Sequence, residues 1–451
     1  MPAPTPRTES DAAALERFRS LLELPTISHA DESETDWAVF DLFIERVQSL
    51  YPALHAVLDR ELVAGHSLLY RWRGAGTDDP TVLMAHYDVV PATDEGWDHP
   101  PFAATIVGAD AEEVIWGRGT LDDKGALVSV LEAVERLVVA GFTPANDVYL
   151  SFGHNEETAG NGAEAAVAVL AGRGIRPALV IDEGGAIVEG AFPGVTKPVA
   201  VVGVSEKGLT SIVLSVAQVG GHASTPPKLT ATVRLARAIV RLAARPFPAS
   251  FSPTNARMIR VLGAHASGAI GVAFRNLWLT RPLLLSLFGR LGDETSAMIR
   301  TTAAVTKLSG SAAANVLAEH ASATVNIRVA VGSSVDEAIA HVRRAIRDDA
   351  VGIEVLERSE PSPVSPANGR AWDLLSRAVD ETYPGTVVTP YIQLGASDSR
   401  RFTEISDYVY RFSPFEMSKD ERATLHARNE RIHVSTWLRG IDFYERLVSR
   451  V

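Results

Sequence analysis

The sequence predicts an α/β protein in which a mixed sheet is covered by helices and a smaller α+β module is inserted. Near-continuous apolar strands alternate with amphipathic helices in the first part of the chain, a pattern typical of a sheet buried on both faces. The pattern changes after Val204, where a strand with one polar face begins. At 451 residues, the chain also exceeds the roughly 250–300 residues at which a single core stops growing.

The larger domain is predicted from segments whose apolar residues recur at helical or strand spacing. Its predicted elements before the insertion are helices 11–22, 36–50, 124–140 and 164–172 and strands 67–73, 81–86, 147–153 and 178–181. After a Pro- and Ser-rich linker at Ser359–Asn368, helix Arg370–Thr382 returns the chain to α/β character. We therefore assign residues 1–206 and 361–451 to this domain.

The inserted domain, residues 207–360, is predicted to follow the order β-α-β-β-α-β of a ferredoxin-like module. Its predicted strands are 209–219, 301–308, 323–331 and 352–357, and its helices are 230–244 and 335–347. This order leaves aside the stretch 246–300. Within that stretch the apolar segment Trp278–Phe288, interrupted by Arg281 and Pro282, is predicted to be a buried helix rather than a membrane contact.

The charge balance and the absence of cysteine narrow the possible functions. Lys and Arg number 43 against 55 Asp and Glu, a net charge of −12, so nucleic acid and anionic membranes are poor partners unless the charge is strongly segregated. Without cysteine, any metal must be bound by His, Asp and Glu. We expect no membrane span, because no apolar run approaches roughly 18–20 residues, and no signal peptide. A disulfide-free chain fits the cytoplasm, the location we expect.

Four clusters of His and acidic residues share one predicted position, the carboxyl edge of the sheet. They are His86–Asp88, the Asp122–Asp123 pair within Gly117–Gly125, Glu156–Glu157 and Asp182–Glu183. Ligands of open α/β sheets bind at the carboxyl ends of the strands. A capping or surface role would explain each cluster separately, but it explains their coincidence poorly.

The residue types in these clusters suit a pair of metal ions. His86 and Asp88 leave a strand on the same face, so Asp88 can accept the second ring N–H of His86 and orient it as a ligand. The adjacent Glu156 and Glu157 suit one carboxylate on a metal and one free as a general base. A sulfur-free set fits two zinc ions, or cobalt or manganese, bridged by a carboxylate and about 3.5–4 Å apart.

The order of the motifs resembles the co-catalytic zinc aminoacylase/carboxypeptidase family. The chain carries H-x-D, G-R-G-x-x-D-D-K-G, N-E-E and D-E-G-G in that order. Four segments are similar to the branch that contains carboxypeptidase S and the N-fatty-acyl-amino-acid synthase/hydrolase: Val204–Gly208, Gly221–Pro227, Asn276–Leu284 and Ala297–Thr302. The resemblance implies a zinc-peptidase-like catalytic domain with an inserted domain that serves as lid and dimerisation unit.

The resemblance implies a role for the residues of the first three clusters. His86 would bind one metal, with Asp88 orienting it. Asp122 would bridge both metals and precede a cis peptide bond. Glu156 would be the general base, and Glu157 would bind the second metal.

Two metal ligands remain to be assigned by the resemblance. One, on the first metal, would be Asp182 or Glu183; we favour Asp182 and leave Glu183 open. The last would be His426, which lies in the sequence H-x-x-N-E. We assign the other candidate, His433, a structural role.

The resemblance also implies residues that contact the substrate. His222, presented by the inserted domain, would cross a dimer interface and polarise the scissile carbonyl. Asn315 matches a family asparagine, and Arg328 matches an arginine near the substrate carboxylate, a contact that a bidentate guanidinium suits. A Gly-rich substrate loop would contribute Gly395, Ser397 and, as a second carboxylate contact, Arg400.

Together these matches imply a dinuclear zinc-dependent amidohydrolase or metallopeptidase, assembled as a homodimer. It would cleave N-acyl amino acids or small peptides that have a free C-terminal carboxylate. Three alternatives stay open: a dipeptidase or carboxypeptidase with small substrates, a carbamoyl-type amidohydrolase, and a non-catalytic metal-binding relative. The apolar residues of the stretch from Phe247 to Arg300 have two interpretations. They form extra core or dimer surface, or they form an apolar wall that contacts a long acyl chain or a bulky apolar side chain of the substrate.

Overall fold

The computed structural model of the protein describes residues 8–109 and 112–451. Residues 1–7, which the sequence assigns to the larger domain, lie outside the described residues. The helices are α1 (Glu9–Leu22), α2 (Trp37–Leu50), α3 (Pro52–Val57), α4 (Lys124–Val139), α5 (Gly162–Gly172), α6 (Ala231–Ala243), α7 (Pro253–His265), α8 (Gly268–Arg275), α9 (Leu277–Leu291), α10 (Asp293–Met298), α11 (Val335–Ile346), α12 (Arg370–Thr382), α13 (Ser399–Phe402), α14 (Lys419–Arg422) and α15 (Val434–Val448).

The strands fall into a large sheet and smaller ones. They are β1 (Asp59–Val63), β2 (Ser67–Trp72), β3 (Gly76–His86), β4 (Thr105–Val107), β5 (Val114–Trp116), β6 (Asn146–Gly153), β7 (Leu179–Val188), β8 (Val199–Glu206), β9 (Gly208–Ala217), β10 (Gly221–His222), β11 (Thr302–Ser309), β12 (Val316–Leu317), β13 (His320–Val329), β14 (Gly352–Ser359), β15 (Val387–Gln393), β16 (Val409–Glu416) and β17 (Arg431–His433).

The large sheet has the order β1-β2-β6-β3-β7-β16-β8-β15. Its central strands β6, β3, β7 and β16 run parallel. Strand β2 pairs antiparallel with β1 and β6, and β8 pairs antiparallel with β7 and β16 but parallel with β15. The predicted mixed sheet is therefore confirmed. Because β3 and β6 are parallel and in register, His86 lies opposite Gly153, and the segments that follow both strands emerge at one edge.

Helices α4 and α15 pack against each other on this sheet. Nearly every residue from Lys124 to Val134 is buried, which agrees with the continuous apolar character of α4. Phe18 of α1 stacks on Trp437 of α15, with ring centroids 4.6 Å apart. The core thus joins the N-terminal and C-terminal segments of the chain.

A second, antiparallel sheet has the order β11-β13-β9-β14, and α6 and α11 cover one face of it. These elements have a hydrophobic core of their own, and their order along the chain is the predicted β-α-β-β-α-β. The chain passes into this sheet after Glu206 and leaves it at Ser359. There the Ser362 hydroxyl accepts the backbone N–H of Glu206 at 2.9 Å. The domain boundaries at 206/207 and 360/361 stay a prediction.

Helices α7 to α10 occupy the stretch 246–300. Helix α7 packs along β15, the edge strand of the large sheet, and buries Met258, Ile259 and Leu262 in the main core. Part of the stretch is therefore additional core, which was one of the two interpretations of its apolar residues. The other, a wall for an acyl chain, stays a prediction.

Helix α9 differs from the sequence prediction. Leu284 and Phe288 are buried, but Trp278 is 81% exposed and Leu279 and Leu283 are each 65% exposed. The expectation of a buried helix is wrong for this face, because the helix is apolar on all sides and packs on one only. No helix within residues 8–109 and 112–451 has the length and apolarity needed to cross a bilayer.

Candidate metal and active site

The end of β3 places His86 at the centre of the acidic clusters. Its ring Nε2 lies 3.0 Å from Asp122 Oδ1 and 3.7 Å from Glu183 Oε1. On the other side of the ring, Nδ1 lies 3.0 Å from the backbone carbonyl of Asp88 and 3.3 Å from its Oδ1. The predicted orienting role of Asp88 agrees with this geometry.

Asp88 is fully buried and joins three segments of the chain. Its carboxylate accepts the Ser28 hydroxyl at 2.6 Å and the backbone N–H groups of Glu156 and Glu157, each at 3.1 Å. The residue that faces the ring of His86 therefore also fixes the turn that presents the glutamate pair.

Asp122 lies between two histidines. Oδ1 faces His86, and Oδ2 lies 2.9 Å from Nε2 of His426. The peptide bond between Asp122 and Asp123 is cis, as the resemblance implied. A carboxylate whose two oxygens face different ligands has the arrangement needed to bridge two metal ions.

The loop that carries Asp122 is held by Glu430, a residue to which the sequence assigned no role. The fully buried carboxylate of Glu430 accepts the backbone N–H groups of Gly119, Leu121 and Asp122 at 2.8–3.2 Å. It also pairs with Arg118 at 2.6 Å. Glu430 belongs to the same H-x-x-N-E motif as His426, so the motif itself was the signal that could have revealed it.

Glu157 and His426 form the second half of the site. Glu157 Oε2 lies 3.1 Å from His426 Nε2, and Glu157 Oε1 is buried without a hydrogen-bond partner among the described residues. His426 projects from the loop between α14 and β17, and its backbone φ of 56° is left-handed. The predicted structural residue His433 points elsewhere, with its Nε2 3.7 Å from Glu421.

The fourth cluster places Glu183, and not Asp182, beside His86. Ligand atoms of His86, Glu156 and Glu183 all lie within 4.8 Å of one another, and a second such group contains His86, Asp122 and Glu157. Asp182 belongs to neither group, and its Oδ2 accepts the backbone N–H of Ser399 at 2.9 Å. Adjacent residues of a strand point to opposite faces, so only one can reach the cluster. The geometry favours Glu183, the alternative to our first choice.

Electrostatics indicate that this cluster suits cations. Burial raises the pKa of Glu156 and of Glu183 well above the usual range, and neighbouring carboxylates raise both further. Burial opposes the charge of His86, but hydrogen bonds to Asp122 and Asp88 outweigh it and raise the pKa of His86 well above its usual value. Oxygen and imidazole donors, an excess of buried negative charge and the partnerless Glu157 oxygen together fit two divalent metal ions.

Asp398 is an acidic neighbour of the cluster that sequence reasoning missed. A side chain at Gly153 would have its Cβ 2.9 Å from Asp398 Oδ2, so the glycine permits this approach. Burial, together with the charges of Asp182 and Asp88, raises the pKa of Asp398 to about 7. Asp398 lies within the Gly-rich segment to which the sequence assigned only contacts to the substrate.

His222 and Asn315 lie on two adjacent segments of the chain. His222 is exposed on β10, which pairs with β12, and the backbone N–H of Ala223 donates to the Asn315 carbonyl at 3.0 Å. Neither side chain has a hydrogen bond or ion pair to the clusters within residues 8–109 and 112–451.

Arg328 and Arg400 lie where the two sheets connect. Arg328 of β13 is opposite Leu209 of β9, and Arg400 donates from Nη2 to the carbonyl of Glu360 at 2.9 Å. A third cation, Lys207, donates to the Arg300 carbonyl at 2.7 Å, and burial together with Arg328 lowers its pKa to about 8. In the described part of the chain, these three cations have no carboxylate partner in an ion pair.

The remaining two residues of the substrate loop differ in exposure. Gly395 is exposed, whereas Ser397 is buried. The backbone N–H of Ser397 donates to Glu206 Oε2 at 2.8 Å, and its hydroxyl lies 2.8 Å from that of Ser399. Glu206 also pairs with Arg411 at 3.1 Å. This loop is thus joined to the segment that leads into the second sheet.

A carboxylate-rich two-centre site at the strand ends defines a metallohydrolase, and comparison with known proteins agrees. The chain belongs to peptidase family M20/M25/M40, whose model matches residues 82–450. It is 34% identical to the human N-fatty-acyl-amino acid synthase/hydrolase PM20D1, covering 98% of this chain and 88% of that protein. It is 29% identical to carboxypeptidase S of Saccharomyces cerevisiae, covering 97% and 84%.

Two solved structures have a similar fold. The metallo-carboxypeptidase Sso-CP2 of Sulfolobus solfataricus has a TM-score of 0.71 at 17% identity, covering 97% of this chain and 98% of that one. Human carnosine dipeptidase 1 has a TM-score of 0.66 at 13% identity, covering 97% and 96%. The predicted family and α/β fold are confirmed.

Metal binding should depend steeply on pH. Hydrogen bonds to Asp122 and Glu157 raise the pKa of His426 to about 10, so a metal must displace a proton there at neutral pH. If metal binding displaces one proton, we expect the apparent metal affinity to fall roughly tenfold for each unit by which the pH is lowered, and each further displaced proton adds another factor of roughly ten. The gain in Tm of the metal-loaded over the chelator-treated protein should therefore shrink between pH 7.5 and 5.5.

The control is His433→Ala, which retains every proposed ligand and should show the same pH dependence. His426→Ala should lose one of two metal equivalents in elemental analysis. A gain in Tm that is independent of pH would contradict the assignment of these ligands.

Proposed function

We propose that the protein hydrolyses the amide bond of N-acyl amino acids whose acyl group is long and apolar. The observation that carries the proposal is the position of Asp122 between His86 and His426, with Glu156 beside the same centre. The name of the human relative, N-fatty-acyl-amino acid synthase/hydrolase, supports this substrate class. The name of the yeast relative, carboxypeptidase S, supports peptides as a second candidate.

The metal ligands are assigned from the two halves of the cluster. His86, Asp122 and Glu183 would hold one ion, and Asp122, Glu157 and His426 would hold the other. We propose zinc, with cobalt or manganese as alternatives that the donor set also permits. Once bound, such ions would lower the pKa of the attacking water and polarise the scissile carbonyl.

Glu156 is the proton carrier in this proposal. Burial and its acidic neighbours raise the pKa of Glu156, which makes its ionised carboxylate a stronger base, and in that form it would accept a proton from the attacking water. It then delivers that proton to the nitrogen of the leaving amino acid, which completes the hydrolysis. Asp88 keeps Glu156 in place through the backbone N–H of the glutamate.

Residues outside the acidic clusters would bind the parts of the substrate that flank the scissile amide. Arg328 would hold the free carboxylate of the amino acid, with Arg400 as a second contact and Asn315 near the reacting group. His222 would polarise the scissile carbonyl from the partner subunit of a homodimer, because it is exposed and has no hydrogen bond or ion pair to the acidic clusters among the described residues. A cytoplasmic location remains part of the proposal, supported by the absence of cysteine.

The two neighbouring glutamates should differ in their effects when substituted. Glu156→Gln should retain both metal equivalents and lower kcat by about 10²–10⁴, the usual contribution of a general base. Glu157→Gln should instead weaken the second metal, and added metal should restore part of its activity. Steady-state kinetics with elemental analysis distinguishes the two, and the reverse pattern would show that the roles are exchanged.

Acyl-chain length tests the substrate class. An apolar wall that buries the acyl chain of the substrate contributes up to about 0.8 kcal/mol of binding free energy per methylene. The value of kcat/KM should therefore rise through a series of N-acyl amino acids from acetyl towards long acyl chains. Dipeptides that share the same C-terminal residue serve as the control series, measured by mass spectrometry. A flat or falling series, with faster dipeptide turnover, would favour the peptidase alternative.

Complementation tests the proposed action of His222 on the partner's site. His222→Ala and Glu156→Gln should each be nearly inactive as homodimers. Their mixture should regain activity, because one site of the heterodimer combines an intact Glu156 with an intact partner His222. A monomeric protein with full activity in sedimentation and kinetic assays would exclude action between subunits.

A further inference from the structure

The outer face of α9 is apolar but is covered by no other part of the described chain. Trp278, Leu279 and Leu283 are 65–81% exposed, and Pro282 between them is exposed as well. These positions recur one helical turn apart, so they form one strip, which we call the α9 strip. A helix that is apolar on all sides is normally buried, and an exposed strip with a tryptophan indicates a contact surface.

Three arginines lie on α9 or at the end of α8 directly before it. Arg275, Arg281 and Arg290 are all exposed. Arg275 and Arg281 donate to backbone carbonyls, those of Gly263 and Phe251. Within residues 8–109 and 112–451, none of the three arginines forms an ion pair with a carboxylate. The nearest acidic residues along the chain, Asp293 and Glu294, begin α10 beyond the strip, and Glu294 lies 3.5 Å from Arg422.

The arginines belong to a pronounced segregation of charge along the chain. Residues 207–292 contain 11 Lys and Arg and no Asp or Glu, although the whole chain has a net charge of −12. The net negative charge makes anionic surfaces poor partners only where charge is not segregated. Because this segment is strongly basic, an anionic surface is a suitable partner for it.

The charges distinguish between possible occupants of the α9 strip. Two copies of this chain related by a two-fold axis would bring the same patch, and hence the same arginines, against each other. An anionic lipid surface avoids this repulsion and matches each chemical feature. Leucine and tryptophan insert at the boundary between headgroups and acyl chains, while arginine contacts the lipid phosphates.

We propose that the α9 strip is an interfacial binding surface for anionic lipid bilayers, on which the protein docks without spanning the membrane. The exposed apolar side chains supply the hydrophobic contact, and Arg275, Arg281 and Arg290 supply the electrostatic attraction. The proposal stands on the exposure and charge of α9 and does not depend on the reaction proposed above.

Vesicle binding tests the proposal with the full-length protein. Co-sedimentation should show binding to vesicles of equal parts phosphatidylcholine and phosphatidylglycerol, and much weaker binding to phosphatidylcholine alone. Raising the salt concentration should weaken the binding. The double variant Trp278→Ser/Leu283→Ser should bind at least roughly tenfold more weakly, because it removes most of the exposed apolar area. Arg290→Glu, whose side chain has no hydrogen bond among the described residues, should lose roughly fivefold or more.

Matched controls separate this surface from general effects. Val139→Ser removes an exposed apolar side chain from α4, and Arg343→Glu reverses an exposed charge on α11; both should bind vesicles like the wild type. Thermal unfolding of every variant checks that the fold is intact. Wild-type binding by the double variant, equal binding to neutral vesicles, or no vesicle binding by the wild type would overturn the proposal. A dimer that dissociates in the double variant would instead identify a second copy as the occupant.

Discussion

The buried carboxylate of Asp88 is the contact on which the arrangement of the site depends. It faces the ring of His86, accepts the Ser28 hydroxyl, and accepts the backbone N–H groups of both members of the glutamate pair. A charge with no exposure to water is tolerated only when it is fully hydrogen-bonded. This requirement locks β3, the turn after β6 and the segment after α1 into one arrangement. A histidine ligand and the proposed base are thereby oriented by the same group.

Opposite charges accumulate in two neighbouring regions of the molecule. Carboxylates outnumber histidines at the strand ends. Burial raises the pKa of Glu156 and Glu183, and the negative charges of neighbouring carboxylates raise it further. Near the connection to the second sheet, Lys207, Arg328 and Arg400 have no acidic partner in an ion pair in the described part of the chain. In the proposed reaction, a substrate with one carboxylate would place that group near these cations and its amide at the acidic centre, which would set its direction of binding.

The helices of the stretch 246–300 contribute to the hydrophobic core and also present an exposed apolar surface. Helix α7 packs against β15, the edge strand of the large sheet. Helix α9 packs through Leu284 and Phe288 but leaves its Trp278 side exposed. The stretch 246–300 therefore contributes to the core through α7 and part of α9, while the Trp278 side of α9 remains exposed.

The sequence by itself determined the α/β class, the strand and helix order around the four clusters, and the residue types of the metal site. Periodicity and composition carry this information, because each strand must place apolar residues on a buried sheet and each cluster follows a strand end. Only the tertiary structure shows that Glu183, and not Asp182, lies beside His86, since this depends on which face of β7 meets that ring. It likewise revealed Glu430 and Asp398, whose partners lie far away in sequence, and it exposed the outer face of α9. Apolar residues show that a helix can be buried, but only the packed neighbours determine which of its faces is covered.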